Sequence, residues 1–223
     1  MRDRVDLRNW DSPVESQLDL GSCSSNALAS AYELLTRQKH PEQFVDVSRL
    51  FLYYNIRFIE GTIDIDSGAY MRDGIKAIEK YGLCAESLWP YKPEEFATPP
   101  PQVCYDDAKK RTIKNSKRLD SVNNILDALN NNYPVVFGMA VYNGFGKLDQ
   151  YDAEVKMPLA NDVSVGSHAM CIVGYDLPKQ LFLVKNSFGT KWGDHGYCLM
   201  PFNYIRTEAY DVWTFDLSDQ PIE

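Results

Sequence analysis

The hydrophobic residues of this chain change their spacing halfway along the sequence. In the first half they recur at helical intervals, in the segments 21–35, 47–61 and 69–82. In the second half they form short apolar runs of strand length, separated by glycine, proline and asparagine, at 134–141, 168–175, 181–186, 196–200 and 210–215. A helical half followed by a strand-rich half predicts an α+β fold, with a cleft where the halves meet.

The segments between these elements complete the predicted organisation. Residues 83–105 are rich in proline and predict a loop, and the basic run at 109–118 predicts a solvated linker. A short helix is expected at 121–132, before the first strand. Gly82 suits the end of the third helix, and Asp66 or Ser67 is a candidate cap for its start.

Composition limits the classes of protein to consider. A chain of 223 residues is long enough for one large domain or two packed halves, and its net charge of −8 argues against nucleic-acid binding. No apolar run approaches the ~18 residues of a membrane span. The first ten residues contain no apolar signal segment. We expect no membrane association and a cytoplasmic or other reducing setting.

The five cysteines form an odd and sparse set, unlike a disulfide framework, so at least one thiol is free of any intramolecular disulfide. Cys171 and Cys198 fall in predicted strands and are expected to be buried thiols. Cys84 and Cys104 flank the proline-rich loop, and the sequence leaves open whether they form a disulfide.

Cys23 lies between a Gly-Ser turn and the first turn of an amphipathic helix. A thiol at a helix N-terminus feels the positive end of the helix dipole, which favours the thiolate. A small apolar residue that starts a buried helix would give the same pattern. The position alone therefore allows a nucleophile or an inert thiol.

A cysteine nucleophile needs a histidine, and the chain has three. His40 precedes a proline in a predicted surface loop, and His195 falls in a turn. His168 begins the strand at 168–175 and would reach the cleft, although a structural histidine is the simpler interpretation of this residue alone. The His168–Cys171 spacing does not indicate a metal site, because strand alternation puts these side chains on opposite faces.

Asn186 ends the run "LFLVKN" and precedes an aromatic residue and a glycine turn. Its amide oxygen can accept a hydrogen bond from an imidazole and fix the tautomer. Phe188, two residues later, is placed to cover that bond. A well-formed hairpin would also explain an asparagine here.

Together these motifs resemble the papain family of cysteine peptidases. "VDLR" (5–8) resembles its mature N-terminus, and "VESQLDLGSC" (14–23) the segment that ends at its nucleophile. "SHAMCIVGYD" (167–176) and "KNSFGTKWGDHGY" (185–197) resemble its histidine and asparagine motifs. "KAIEKYGLCAESLWPY" (76–91) resembles its third helix and the loop after it. The resemblance spans most of the chain.

The resemblance implies a papain-like fold, a helical half beside an antiparallel β-barrel-like half, and peptide-bond hydrolysis through an acyl-enzyme. Cys23 would be the nucleophile, His168 its partner in a thiolate–imidazolium pair, and Asn186 the group that orients His168. Gln17 would stabilise the oxyanion together with the Cys23 N–H. No cofactor and no metal are implied, although the free thiol needs reducing conditions.

The resemblance also implies a single domain over residues 1–223. It would comprise a helical subdomain at about 12–112 and a β subdomain at about 113–223 that includes residues 1–11. The expected partner is a peptide or protein substrate, together with a pro-segment or protein inhibitor from outside this chain.

Substrate-binding residues are also implied by the resemblance. "DSGAY" (66–70) aligns with the family's glycine-containing stretch that pairs with substrate backbone. Gly68 and Ala69 compete for that position, and the sequence does not choose between them. Phe188 is expected to border the substrate as well.

Three departures from the family pattern are visible. Ser24 follows the nucleophile where the family has an aromatic residue, the segment between Gln17 and Cys23 lacks a second cysteine, and Phe188 replaces a tryptophan. Two other functions stay open, the first because of these departures and the second because it would use the same triad. One is a papain-fold binding protein that has lost catalysis, and the other is an acyl or ubiquitin-like transferase or hydrolase with the same triad.

Overall fold

The computed structural model of the chain describes residues 1–219, which contain six α-helices and seven β-strands. The helices are α1 (Cys23–Lys39), α2 (Arg49–Glu60), α3 (Met71–Tyr81), α4 (Gln102–Ala108), α5 (Val122–Asn130) and α6 (Phe202–Glu208). The strands are β1 (Arg4–Asp6), β2 (Ile113–Arg118), β3 (Val135–Val141), β4 (Gly166–Asp176), β5 (Leu181–Lys185), β6 (Tyr197–Pro201) and β7 (Ala209–Leu217). In this range no helix has the length and apolar character needed to span a bilayer.

Helix α1 runs through the centre of the molecule. Its residues from Ser24 to Thr36 are all buried, packed against α2 and α3 on one side and against β4 on the other. Leu28, Leu34 and Leu35 are completely covered. The predicted helix is confirmed, and its burial holds the first residue, Cys23, against the sheet.

The helices predicted at 47–61 and 69–82 are confirmed as α2 and α3. The Ser48 hydroxyl caps α2 by accepting a hydrogen bond from the Phe51 N–H at 3.0 Å, and Gly61 ends it with φ of 74°. Gly82 ends α3 as predicted, with φ of 77°. A Cβ at Gly82 would lie 1.9 Å from the Ala108 carbonyl oxygen, so the contact between α3 and α4 requires glycine there.

The predicted caps for α3 are wrong. The residue before the helix is Tyr70, and its side chain makes no capping hydrogen bond. Asp66 instead accepts hydrogen bonds from the Gly21 N–H and the Tyr53 hydroxyl. The carboxylate therefore joins the loop before α3 to the segment before α1.

The strands form one antiparallel sheet in the order β2-β7-β3-β4-β5-β6, and β1 pairs with the end of β4. Every predicted apolar run lies in one of these strands. The chain is therefore an α+β protein, as predicted. Strand β4 pairs with β3 along its first part and with β5 along its second, so His168 lies opposite Met139 near the start of a central strand.

Two of the segments between elements were predicted incorrectly. Helix α4 occupies part of the predicted loop at 83–105, and β2 occupies part of the predicted linker at 109–118. The seven residues of α4 are stabilised by the burial of Cys104 and Ala108 near Phe51. Strand β2 is an edge strand that pairs with β7, and lysine-rich sequence is typical of such edges.

Two further elements were not predicted at all: β1 and α6. The subdomain division stays a prediction, and its last four residues, 220–223, lie outside the described residues.

Candidate active site

A cleft of about 610 Å³ opens between the start of α1, the loop before α3 and the sheet. Cys23 and Ser24 lie at its base, and His168 and Ala169 of β4 face them from the sheet. Gly68 and Ala69 form the opposite wall. The structure thus brings Cys23 and His168, 145 residues apart in sequence, into one cavity.

Cys23 is the first residue of α1 and is partly buried. Burial raises the pKa of its thiol, because a thiolate would lose hydration. Hydrogen bonds from the Ala169 and Ser24 backbone N–H groups oppose this effect. The bond from Ala169 places the sulfur beside β4, one residue from His168.

The tautomer of His168 follows from its partner. Asn186 Oδ1 lies 2.7 Å from His168 Nε2 and also accepts a hydrogen bond from the Ser187 N–H at 2.8 Å. Because an N–H can only donate, the Asn186 atom is the oxygen, and His168 Nε2 carries the hydrogen. In the neutral ring, Nδ1 is then free to accept a proton.

An aromatic cover lies over this hydrogen bond. The Phe188 ring is 4.7 Å from the His168 ring between centroids, and the Phe145 ring is 5.7 Å away. His168 is 7% exposed, and burial lowers its pKa to about 4, although the bond to Asn186 acts in the opposite direction. Phe188, which is 38% exposed, packs on the histidine rather than lining the cavity.

Gln17 is held in one orientation. Its Oε1 accepts a hydrogen bond from the Ser187 hydroxyl at 2.6 Å, and its Nε2 donates to the Leu20 carbonyl at 2.9 Å. One hydrogen on Nε2 remains unused by these contacts. The backbone of Gln17 is also tied to Ser187, through its N–H, at 2.8 Å.

Gly68 and Ala69, in the wall opposite the sheet, differ in their backbone hydrogen bonds. Gly68 has φ of 72° and donates its N–H to the Tyr53 hydroxyl at 3.2 Å. The Ala69 carbonyl accepts a hydrogen bond from the Ser24 hydroxyl. Among residues 1–219, no hydrogen-bond acceptor is found for the Ala69 N–H.

Sequence reasoning missed two residues that shape the site, Asp66 and Ser187. Asp66 accepts the Gly21 N–H at 3.0 Å, which fixes the segment before Cys23 to the opposite wall. Ser187 orients Gln17, as described above. The only sequence signal for Ser187 is its place beside Asn186. For Asp66, the sequence suggests a helix cap and not this contact.

All five cysteines are free thiols, and the four besides Cys23 are buried. Cys84 and Cys104 lie in one buried cluster without a disulfide. Burial raises the pKa of Cys171 and Cys198. Cys23 is thus the one cysteine of the chain that opens onto the cleft.

A cysteine at a helix start and a histidine bound to asparagine lie in one cleft between helices and an antiparallel sheet, which is the arrangement expected of a cysteine hydrolase. The sequence profile described as "Papain family cysteine protease" matches residues 1–210. The chain belongs to the papain family of cysteine proteases, and by family and fold it is a papain-like cysteine peptidase.

Individual relatives agree with this assignment. An uncharacterized peptidase C1-like protein of Acanthamoeba polyphaga mimivirus is 40% identical over 215 residues, which cover 91% of this chain and 69% of that protein. Oryzain gamma chain of Oryza sativa subsp. japonica is 30% identical over 209 residues, which cover 85% of this chain and 51% of that protein. The chain therefore spans only about half the length of some curated relatives.

Solved structures show the same fold. Xylellain, a cysteine protease from Xylella fastidiosa, superposes with a TM-score of 0.87 at 34% identity, covering 97% of this chain and 86% of that one. Bromelain from Ananas comosus superposes with a TM-score of 0.76 at 18% identity, covering 98% of this chain and 100% of that one.

Proposed function

We propose that the protein hydrolyses peptide bonds, with Cys23 as nucleophile, His168 as general base and acid, Asn186 as the group that orients His168, and Gln17 as an oxyanion donor. One observation carries the proposal. The Asn186 oxygen fixes the hydrogen of His168 on Nε2, which leaves Nδ1 as the basic atom in the cavity that Cys23 opens onto.

In the first half-reaction, the Cys23 proton moves to His168 Nδ1 and the sulfur attacks the carbonyl carbon of the substrate. Negative charge develops on the carbonyl oxygen, where Gln17 Nε2 and the Cys23 N–H donate hydrogen bonds. The C–N bond then breaks, and the leaving amine takes the proton from His168. A thioester on Cys23 remains.

In the second half-reaction, water attacks the thioester carbon and gives a proton to His168. The C–S bond breaks, the acid product leaves, and the Cys23 sulfur regains the proton. The reaction uses groups of this chain and one water molecule, and it requires Cys23 in the reduced form.

We further propose that Ala69, rather than Gly68, pairs with the substrate backbone. The Gly68 N–H is already donated to Tyr53, whereas the Ala69 N–H lacks an acceptor in the described part of the chain. An extended peptide beside this wall would supply one.

Replacing the nucleophile tests the mechanism. Cys23→Ala is expected to lower turnover of fluorogenic peptides by roughly 10⁴-fold or more while the circular dichroism spectrum stays unchanged. Cys198→Ala, a change at a buried thiol in β6, is the matched control and should retain activity. A fully active Cys23→Ala protein would contradict the mechanism.

Two further assays separate the proposal from the other functions. Mass spectrometry after treatment with a thiol-reactive epoxide peptide should find one adduct, on Cys23. Product analysis should find free carboxylates, and an inactive wild-type protein or acyl transfer to an added amine would point to the binding-protein or transferase alternative.

A further inference from the structure

The hydroxyl of Tyr91 reaches the segment that carries both oxyanion donors, although Tyr91 does not line the cleft. It donates to the Gln17 carbonyl at 2.8 Å and lies 2.5 Å from the Ser22 hydroxyl. Gln17 begins this segment, and Ser22 directly precedes Cys23. One side chain therefore touches the two ends of the segment.

The donor and the acceptor of each hydrogen bond around the Tyr91 hydroxyl can be assigned. Asn26 Nδ2 donates to Ser22 Oγ at 3.1 Å, and the Gln17 carbonyl can only accept. The single Tyr91 hydrogen is used on Gln17, so Ser22 must donate to Tyr91. The chain of donors runs from Asn26 in the first turn of α1, through Ser22 and Tyr91, to the carbonyl of Gln17.

Tyr91 is itself fixed by its surroundings. Its N–H donates to Glu86 Oε1 at 2.5 Å, and its ring packs against the buried cluster of Leu20, Leu50 and Tyr53. Leu20 belongs to the same segment, so the ring supports the segment by packing while the hydroxyl acts through hydrogen bonds. Tyr91→Phe would remove the hydroxyl and keep the packing.

We propose that Tyr91 is a positioning residue that holds Gln17 Nε2 and the Cys23 N–H at the spacing needed for one oxyanion. The assignment rests on the proposed peptidase function. The chain of hydrogen bonds through Ser22 and Tyr91 sets the distance from the first turn of α1 to the Gln17 backbone. The Ser187 hydroxyl then orients the side-chain amide of Gln17 by donating to its Oε1.

Steady-state kinetics of Tyr91→Phe on a fluorogenic peptide test this assignment. Loss of one hydroxyl is expected to lower kcat by about 5- to 10-fold with KM unchanged, since the hydroxyl does not touch substrate. Tyr105→Phe is the matched control, because that hydroxyl bonds to Asn55 at 3.1 Å away from the cleft. The control should keep wild-type kcat and KM.

Two readouts separate positioning from a general structural role. Alkylation of Cys23 by iodoacetamide forms no oxyanion, so its rate should be equal in Tyr91→Phe and wild type. In the Gln17→Ala variant the side-chain donor to the oxyanion is absent. Adding Tyr91→Phe to that variant should then lower kcat by less than about twofold.

An unchanged kcat in Tyr91→Phe would overturn the assignment. So would a Tyr91→Phe change that lowers kcat by the same factor in the wild-type protein and in Gln17→Ala. A slower alkylation of Cys23 would also overturn it. Failure of the peptidase function itself would appear differently, as a wild-type protein that does not cleave the peptide.

Discussion

Ser24 directly follows the proposed nucleophile, and its hydroxyl bonds to the Ala69 carbonyl on the opposite wall of the cleft. The Ser24 side chain also lowers the pKa of Cys23 against the effect of burial. The serine is 3% exposed, too covered to serve as a surface residue. The departure from the family pattern at this position thus has a structural role, since it links the nucleophile to the wall.

Removing this hydroxyl should change the pH profile. When the thiolate forms, the hydroxyl can turn its one hydrogen from the Ala69 carbonyl to the sulfur, so Ser24→Ala should raise the pKa of Cys23 and move the acidic limb of kcat/KM to higher pH. We expect about a 3- to 10-fold loss at pH 6 and little loss at pH 8. The measurement is kcat/KM against pH.

Ser24→Thr, which keeps the hydroxyl, should restore the profile. Ser30→Ala, a change elsewhere in α1, should leave it unaltered. An acidic limb that does not move in Ser24→Ala would contradict the role given to this hydroxyl.

The sequence predicted individual site residues where each had a local signal. Cys23 begins an apolar helix, His168 begins an apolar strand, and Asn186 ends one. Asp66 had no such signal, because its partner Gly21 lies 45 residues away and contributes only a backbone N–H. Contacts of that kind depend on the fold, and a single sequence does not reveal them.

At the scale of elements, the pairing of β1 with β4 depends on a glycine. A Cβ at Gly174 would lie 2.2 Å from the Val5 carbonyl oxygen, a backbone atom that cannot move without displacing β1. Strand β1 leads through Leu7, whose N–H bonds to Val173 at 2.8 Å, into the segment before α1. The backbone of β1 therefore packs directly against the backbone of β4 at Gly174.

Gly174→Ala should destabilise the fold by roughly 1–3 kcal/mol, the usual cost of overpacking. Thermal unfolding measures the effect, as a lower Tm than wild type. Gly146→Ala is the control, because its Cβ would meet no atom within 4 Å and its φ is not positive. Equal Tm values for Gly174→Ala and wild type would show that β1 is not packed as described.

Elements were predictable where periodicity was strong and unpredictable where packing decides. The long helices and the five apolar strands followed from spacing, whereas α4 and β2 did not. Helix α4 has only two buried residues, and β2 has one buried residue, Ile113. Such elements are stabilised by their neighbours, which the local sequence does not encode.

At the scale of the whole molecule, the fold brings a thiol from the helical part and an imidazole from the sheet into one cavity. Burial raises the pKa of Cys23 and lowers that of His168 to about 4, so each group considered alone is neutral at pH 7. A thiolate–imidazolium pair therefore requires the attraction between the two charges to exceed the cost of burying them. That balance is the central claim of the proposed mechanism.

The pH dependence of Cys23 alkylation by iodoacetamide tests this claim most directly, with His168→Ala as the comparison. If the pair forms, wild-type Cys23 reacts as a thiolate already at about pH 6, whereas in His168→Ala the rate rises only above the ordinary thiol pKa of about 8.5. Wild-type and His168→Ala rates that rise together above about pH 8.5 would contradict the account.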